Sequence, residues 1–310
     1  MRIVVALGGN ALRRPSDPPT TVVQRYCSRA VAEAIAPLVH DHEVIVLHGN
    51  GPQVGVPALH VGSNDGTGPY PLDVLDAGTQ GMVGYLIQQE LRSILSPDLS
   101  VVTVLTMITV DPEDPAFAAP ATFVGPGCSW DEADVLAREH GWTFRQDGAR
   151  WRRVVPSPEP QKIVELAPIS WLVELGAVVV CAGGGAIPVV RSASGDLTGV
   201  EAVIDKDVAG ELLAEDVGAD LYVMATDVDG VYVDWGMPTQ WRLGEVTPAD
   251  LAGHEFAAGS MSPKVDAAAR FVAKTGRRAA IGALDDVGGI VAGRAGTSVV
   301  PASPHNARRP

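Results

Sequence analysis

Lysine occurs in this chain only at positions 162, 206, 264 and 274, and two of those positions have unusual neighbours. Lys206 is flanked by acids in Ile204-Asp205-Lys206-Asp207, and Lys264 follows a serine–proline pair in Gly259-Ser260-Met261-Ser262-Pro263-Lys264. A lysine held extended by carboxylates presents a compact ammonium that suits a phosphoryl group. On an open surface the same pattern is an ordinary ion pair worth about 0–1 kcal/mol. Ser262-Pro263 predicts a helix start, with serine as N-cap and proline in the first turn. Lys264 then falls where the helix dipole disfavours a cation, and a bound polyphosphate would reverse that penalty.

Three glycine turns offer a second kind of anion grip. Gly8-Gly9-Asn10, Gly49-Asn50-Gly51 and Gly183-Gly184-Gly185 each close a short Val/Ile-rich run. Backbone N–H groups exposed at such a turn can donate to an anion. Asparagine adds an amide donor and tolerates left-handed backbone angles. One such turn is also an ordinary strand-to-helix connection, so the weight rests on there being three. No GxxxxGK[ST] occurs, and no GxGxxG follows the first strand, so neither standard nucleotide fingerprint fits. Thr226-Asp227-Val228-Asp229-Gly230-Val231-Tyr232 contains a turn-forming Asp-Gly, and its threonine, aspartate and aromatic ring could hold an adenosine. His40 and His42 have no partner cluster, no HExxH spacing occurs, and no Gly-x-Ser-x-Gly elbow supports a hydrolase triad. His48 reads as a hydrogen-bonded structural histidine, and Trp142, Trp151 and Trp171 as packing.

These residues need a scaffold to bring them together. Ile3–Leu7, Val44–Leu47, Val178–Val180 and Leu221–Met224 are continuous apolar runs, as in parallel strands buried on both faces. Helical patterns cover Thr21–Val39, Asp76–Leu95, Ile163–Leu175, Asp207–Val217 and Ser262–Thr275. The alternation predicts a three-layer α/β/α sandwich around a mostly parallel sheet, with ligands beyond the carboxyl ends of the strands. Each glycine turn falls at such an end. From Asp111 to about Val155 the rhythm breaks into a Pro-, Gly- and Trp-rich stretch with an acidic helix near Asp131–Glu139, read as a projecting insertion. Val190–Gly195 reads as a connecting loop dividing lobes 1–190 and 191–310, and Ala302–Pro310 as a frayed tail.

Composition narrows the function. The 310 residues are 46% hydrophobic and 19% charged, which suits a large core and rules out intrinsic disorder. Basic residues number 23 and acidic ones 37, giving a net charge of −14. That balance argues against a nucleic-acid or anionic-membrane binder, so a phosphate ligand must be held by a small, local positive site. Cys27, Cys128 and Cys181 are widely spaced without a CxxC pair, which favours reduced thiols. No apolar run has the length of a membrane span, and the first is too short for a signal peptide. A soluble cytoplasmic protein is expected.

Taken in order, several segments resemble the carbamate kinases of the amino acid kinase superfamily: Ala6-Leu7-Gly8-Gly9-Asn10-Ala11-Leu12, His48-Gly49-Asn50-Gly51-Pro52-Gln53-Val54-Gly55, Thr79-Gln80-Gly81-Met82-Val83-Gly84-Tyr85, Val154-Val155-Pro156-Ser157-Pro158, the run from Gly199 to Asp207, Thr226 to Tyr232, and Gly259 to Val265. The resemblance spans nearly the whole chain, and Gly-Val-Glu-Ala-Val-Ile-Asp-Lys-Asp is diagnostic of carbamate kinases. It implies an α/β/α sandwich with about eight strands, a homodimer, an N-terminal lobe for carbamate or carbamoyl phosphate and a C-terminal lobe for ATP or ADP with Mg²⁺. The implied reaction is ATP + carbamate ⇌ ADP + carbamoyl phosphate, run toward ATP in arginine catabolism. Lys206 and Lys264 would neutralise the transferring phosphoryl group, with Asp207 and Asp205 fixing the ammonium groups. Gly8, Gly9, Asn10, Gly49, Asn50, Gly51, Gln53, Gly183, Gly184 and Gly185 would bind substrate and phosphoryl oxygens. Thr226, Asp227, Tyr232 and Met261 would bind the nucleotide, and no metal ligand from the protein is implied. The insertion resembles the family's protruding subdomain, which folds over the substrate site.

One departure stands out. Carbamate kinases carry a Thr-Lys-Pro-Ile/Val-Gly-Pro segment in that subdomain, and here Ala121-Thr122-Phe123-Val124-Gly125-Pro126 places Thr122 at the lysine's position. Substrate binding weakens unless another residue compensates, with Arg145, Arg150, Arg152 and Arg153 nearby. Ser262 also stands where glycine is common. Two other readings follow: a superfamily kinase with a different small acid acceptor, and a nucleotide-binding regulatory protein without turnover. The intact Asp-Lys-Asp and Ser-Pro-Lys elements speak against the second.

Overall fold

The computed structural model describes residues 1–9, 20–49, 70–257 and 259–302. Asn10, Asn50, Gly51, Gln53 and residues 303–310 of the tail lie outside the described residues. In its first half the chain forms β1 (Arg2–Leu7), α1 (Thr21–Ile35), β2 (Glu43–His48), α2 (Leu72–Ile94), β3 (Val101–Val104), β4 (Met107–Val110), β5 (Thr122–Cys128), α3 (Trp130–His140), β6 (Thr143–Asp147) and β7 (Arg150–Val155). The second half adds β8 (Pro160–Ile163), α4 (Leu166–Glu174), β9 (Val178–Cys181), β10 (Ile187–Arg191), β11 (Leu197–Gly199), α5 (Lys206–Asp216), β12 (Leu221–Thr226), β13 (Tyr232–Val233), β14 (Trp241–Arg242), β15 (Glu245–Val246), α6 (Pro248–Leu251), α7 (Ser262–Thr275), β16 (Arg278–Ala283), α8 (Val287–Val291) and β17 (Thr297–Val299).

Eight strands form the main sheet in the order β15-β17-β16-β12-β1-β2-β9-β3, parallel throughout except at the β16–β17 step. Alternate residues of the central strands enter two different cores. Ile3, Val5, Val44, Val46, Leu221 and Val223 pack with α1, α2 and α8, while Val4, Ala6, Ile45, Leu47, Tyr222 and Met224 pack with α4, α5 and α7. This is the predicted three-layer sandwich, and it explains why the strand sequences are apolar without alternation. Each buried aliphatic side chain contributes about 1.5–3 kcal/mol.

The helices follow the sequence reading with local shifts. α1 stops at Ile35 and tightens into a 3₁₀ turn, Ala36–His40, with proline at its start. α2 begins at Leu72, four residues before the expected Asp76, because Glu201 Oε1 accepts from the Leu72 N–H at 2.8 Å and satisfies the helix start. α7 spans the predicted residues, but Ser262 is not its N-cap. Met261 occupies that position without a side-chain cap, and the Ser262 hydroxyl donates to Asp266 Oδ2 at 3.2 Å instead.

Val190–Gly195 forms a hairpin connection. Ser192 N–H donates to Asp196 O at 2.9 Å and Gly195 N–H to Ser192 O at 3.0 Å, closing a turn between antiparallel β10 and β11. These strands belong to a four-stranded sheet, β11-β10-β4-β8, and the main sheet runs unbroken from β12 through β1 to β2. The insertion carries its own antiparallel sheet, β5-β7-β6. It also holds α3, whose start is a capping box of Ser129 and Glu132 and whose end is Gly141 at φ 69°. Among the described residues no helix is long and apolar enough to cross a membrane.

Candidate active site

α5 and α7 begin near the carboxyl end of β12 and pack along each other. Asp205 starts α5 as its N-cap, with Oδ1 accepting from the Asp207 N–H at 2.8 Å and the Val208 N–H at 3.1 Å. This cap presents the next two residues to α7. The Lys206 ammonium donates to Asp207 Oδ1, and the Lys264 ammonium donates to Asp207 Oδ2 at 2.7 Å. One carboxylate therefore joins two lysines 58 residues apart in sequence, and only 6% of the Asp207 side chain and 12–13% of the lysine side chains are exposed. Burial alone would push the Asp207 carboxyl up, but the two ammonium groups overcome it and hold the carboxyl below the ordinary carboxylate range. Burial, aided by Lys264, lowers the Lys206 pKa against the attraction of Asp207 and Asp205. The trio carries one net positive charge in a nearly dry setting, where preorganised charge acts strongly. Asp205 differs from the sequence reading: its carboxylate is spent on the helix cap and reaches Lys206 only through its charge.

A cleft of about 450 Å³ opens beside this trio. Its walls bring together Gly8, Gly9, Asp205, Asp207, Thr226, Asp227, Tyr232, Met261 and Lys264 from the candidate residues. Thr226 Oγ1 donates to Asp227 Oδ1 at 3.0 Å, and the Tyr232 hydroxyl donates to Asp229 Oδ1 at 2.9 Å. Trp235 and Phe256 also line the cleft and were not singled out in the sequence. Trp235 meets Tyr232 edge-on with centroids 5.1 Å apart, and more than half of it is exposed. Its signal is an aromatic three residues beyond Tyr232, where the Asp-Gly loop ends.

The glycine turns divide in role. The Gly8 N–H donates to Ala225 O at 2.8 Å and the Gly49 N–H to Leu7 O at 3.1 Å, so both extend the sheet's bonding and neither is directed at a ligand. A Cβ on Gly49 would stand 3.3 Å from Gly9 N and Cα, so these two turns depend on close approach. Gly183, Gly184 and Gly185 are buried and do not line the cleft. A Cβ on Gly183 would overlap the His48 ring, and one on Gly185, at φ +102°, would overlap Ile204 O just before α5. Ala182 and Ala186, at φ 51° and 69°, flank the turn in left-handed conformations that cost about 1–3 kcal/mol each. The turn is held by Thr106 Oγ1, which accepts from the Ala182 N–H at 3.0 Å. Thr106 is in turn gripped by Gln80 through two backbone hydrogen bonds of 3.0 Å. Gln80 belongs to the Thr79–Tyr85 segment, whose sequence alone does not reveal this contact.

His48 is structural, as expected. It is 1% exposed, and its Nδ1 lies 3.0 Å from Gly49 O. Burial, aided by the nearby Lys206 charge, drops its pKa from 6.5 to about 4, so it is neutral at physiological pH. Lys206 is thus close enough to β2 for its charge to act on His48, while Lys264 lines the cleft. Among the described residues no three His, Cys, Asp or Glu side chains could hold a metal ion together.

Thr122 opens β5 opposite Val155. Arg152 stacks on Phe123 at 5.2 Å and donates to Gly125 O and Asp147, while Arg153 stacks on Trp142 at 4.0 Å and pairs with Glu201. Both are engaged at the subdomain, and none of Arg145, Arg150, Arg152 and Arg153 lines the cleft. Trp142 and Trp151 pack as expected, the latter against Trp130, but Trp171 is 62% exposed on α4.

A doubly covered parallel sheet with two buried lysines joined by one carboxylate beside a strand-end cleft places the chain among α/β proteins that bind ligands at that edge. The model of the amino acid kinase family matches residues 1–283. Carbamate kinase from Rhizobium meliloti (strain 1021) is 50% identical over 301 residues, covering 96% of this chain and 93% of the relative. Carbamate kinase from Haemophilus influenzae is 48% identical, covering 96% of each. The structure of carbamate kinase from Giardia lamblia bound to AMP-PNP superposes with a TM-score of 0.90 at 35% identity, covering 97% of this chain and 98% of that one. The chain belongs to the amino acid kinase family, on its carbamate kinase branch.

Proposed function

We propose that this protein is a carbamate kinase, catalysing ATP + carbamate ⇌ ADP + carbamoyl phosphate and running toward ATP. The observation that carries the reading is the single Asp207 carboxylate that joins Lys206 and Lys264 at the strand-end crevice. Phosphoryl transfer passes through a loose, charge-spread transition state, so catalysis needs positioning and preorganised charge and no covalent nucleophile. Lys264 meets the terminal phosphate of the nucleotide from the cleft, and Lys206 meets the phosphoryl group from the β2 side. The group passes between two ammonium groups whose separation Asp207 sets. The lobe 191–310 holds the nucleotide: Tyr232, Trp235, Phe256 and Met261 offer surfaces for the base, with Thr226 and Asp227 nearer the phosphates. The lobe 1–190 holds carbamate, with the insertion above it and Gly9 nearest the anion.

The residues present fit a nucleotide-borne Mg²⁺ better than a protein-held one. Asp207 is committed to two lysines and Asp205 to a helix cap, while Asp227 lines the cleft with Oδ1 accepting from the Thr226 hydroxyl. Mg²⁺ commonly takes one or two carboxylates plus substrate phosphates and water. The ion adds positive charge at the phosphate oxygens.

We assign the homodimer to the outer faces of α1 and α2. Val22, Tyr26, Met82 and Tyr85 are exposed there, and Arg25 bonds Gln89 across the pair at 2.7 Å. The cytoplasm suits its three free cysteines. A second reading, a different small acid as acceptor, is favoured by Thr122 alone. Luminescent detection of ATP formed from ADP, Mg²⁺ and carbamoyl phosphate decides between them. Robust ATP formation supports carbamate, turnover only on another acyl phosphate supports the second reading, and nucleotide binding without turnover overturns both.

A further inference from the structure

Glu211 lies one turn after Asp207 on α5, with 1% of its side chain exposed. Its two oxygens face cations of α7, Lys274 Nζ at 3.0 Å from Oε1 and an Arg270 guanidinium nitrogen at 3.4 Å from Oε2. Neither contact has hydrogen-bond geometry, so both oxygens are buried with charge compensation but no hydrogen-bond partner. Lys274 continues to Glu215 at 2.9 Å, and Arg270 to Glu159 at 3.3 Å, just beyond the insertion. Acids at 207, 211 and 215 on α5 are thus answered by Lys264, Arg270 and Lys274 on α7. The two helices run in the same direction with their first turns together.

A buried carboxylate with imperfect partners is a poor stabiliser, and an apolar side chain of similar volume commonly does as well or better. What a charge can add is register, as a buried polar group does in paired helices. Ala209 on α5 and Ala267 and Ala268 on α7 are buried in the core these helices share, and side chains this small fix register poorly. Register matters here because Lys264 in the first turn of α7 must meet Asp207 in the first turn of α5. We propose that Glu211 is a positioning residue that, through Arg270 and Lys274, holds α7 on α5 at the register that places Lys264 on Asp207 opposite Lys206. The proposal rests on the reading of the two lysines as the phosphoryl-binding pair.

Glu211→Gln in the full chain tests it, because glutamine preserves volume while Lys274 keeps Glu215 and Arg270 keeps Glu159. The expected result is a kcat for ATP formation lowered roughly 10-fold, with the KM for ADP changed less than about twofold. Acetylation of Lys264 by acetic anhydride, followed by mass spectrometry, should become several-fold faster. Glu211→Met should remain folded and show the same two changes. In a Lys264→Ala background, Glu211→Gln should have no further effect on kcat. Unchanged kcat and unchanged Lys264 labelling in Glu211→Gln would overturn the proposal, as would the same fractional loss of kcat in the Lys264→Ala background. If Lys264→Ala itself keeps full activity, the reading of the lysine pair fails, while the labelling still reports on helix register.

Discussion

Asp207→Asn probes the site at its joint. Asparagine keeps the side chain's size but offers one carbonyl oxygen where the carboxylate offered two, and it turns an NH₂ toward the other ammonium. The trio's charge rises from one to two while both lysines remain almost entirely buried. Removing one partner of a buried ion pair costs about 3–5 kcal/mol, and the protein relieves part of this by letting one lysine lose its proton. Lys206 is that lysine, since burial and Lys264 already hold its pKa below the ordinary value and Asp207 is the main opposing attraction. A lysine with a depressed pKa is charged below that pKa and loses its charge as pH rises through it. Activity of the variant should therefore fall toward alkaline pH and recover toward acid, with the wild type flatter across the same range. At neutral pH, kcat should drop about 100-fold or more, the loss expected when a charge contact to the transition state disappears. Initial rates of ATP formation from ADP, Mg²⁺ and carbamoyl phosphate over a pH series give the profile, with ADP binding measured separately to confirm an intact cleft. A variant with wild-type kcat and profile, or with activity that climbs as pH rises, would refute the reasoning.

Three further outcomes follow from the same geometry. Lys206→Ala should lower kcat about 100-fold or more while leaving ADP affinity nearly unchanged, as steady-state kinetics and calorimetry would reveal. The His48 pKa of about 4 lies below its unfolded value of 6.5, so the neutral ring stabilises the fold fully above pH 6.5. That contribution, about 3 kcal/mol, is lost as pH falls toward 4; urea midpoints should drop over this window, and less so in His48→Gln. Trp235→Ala should weaken ADP binding roughly 10-fold, in keeping with loss of an aromatic platform, and an unchanged calorimetric Kd would remove that role.

The sheet was legible because its strands are buried on both faces, which writes them as unbroken apolar runs. The lysine pair was legible from scarcity and neighbours: acids around Lys206, and a cation in the first turn of α7. What joined them was not, since the two-sided grip of Asp207 arises only when α5 and α7 lie side by side. Gly8, Gly49 and Gly183–Gly185 looked alike as glycine turns, yet they serve the sheet, a close approach of two loops and a buried packing site. Sequence spacing reports that a backbone is free to bend, not where its N–H groups are spent. Ser262-Pro263 misled in a different way, because Asp266, one turn along the same helix, captured the hydroxyl. Trp235 and Gln80 were passed over because their importance lies in what faces them across the fold.

The insertion enters and leaves the body at one spot. The Ala121 N–H donates to Val155 O at 3.2 Å, and Thr122 sits across the ladder from Val155. A short turn could therefore replace the 33 intervening residues without disturbing any strand of the eight-stranded sheet. Architecturally it is a removable attachment, one that can be exchanged or retuned while the main sheet and the lysine pair stay the same.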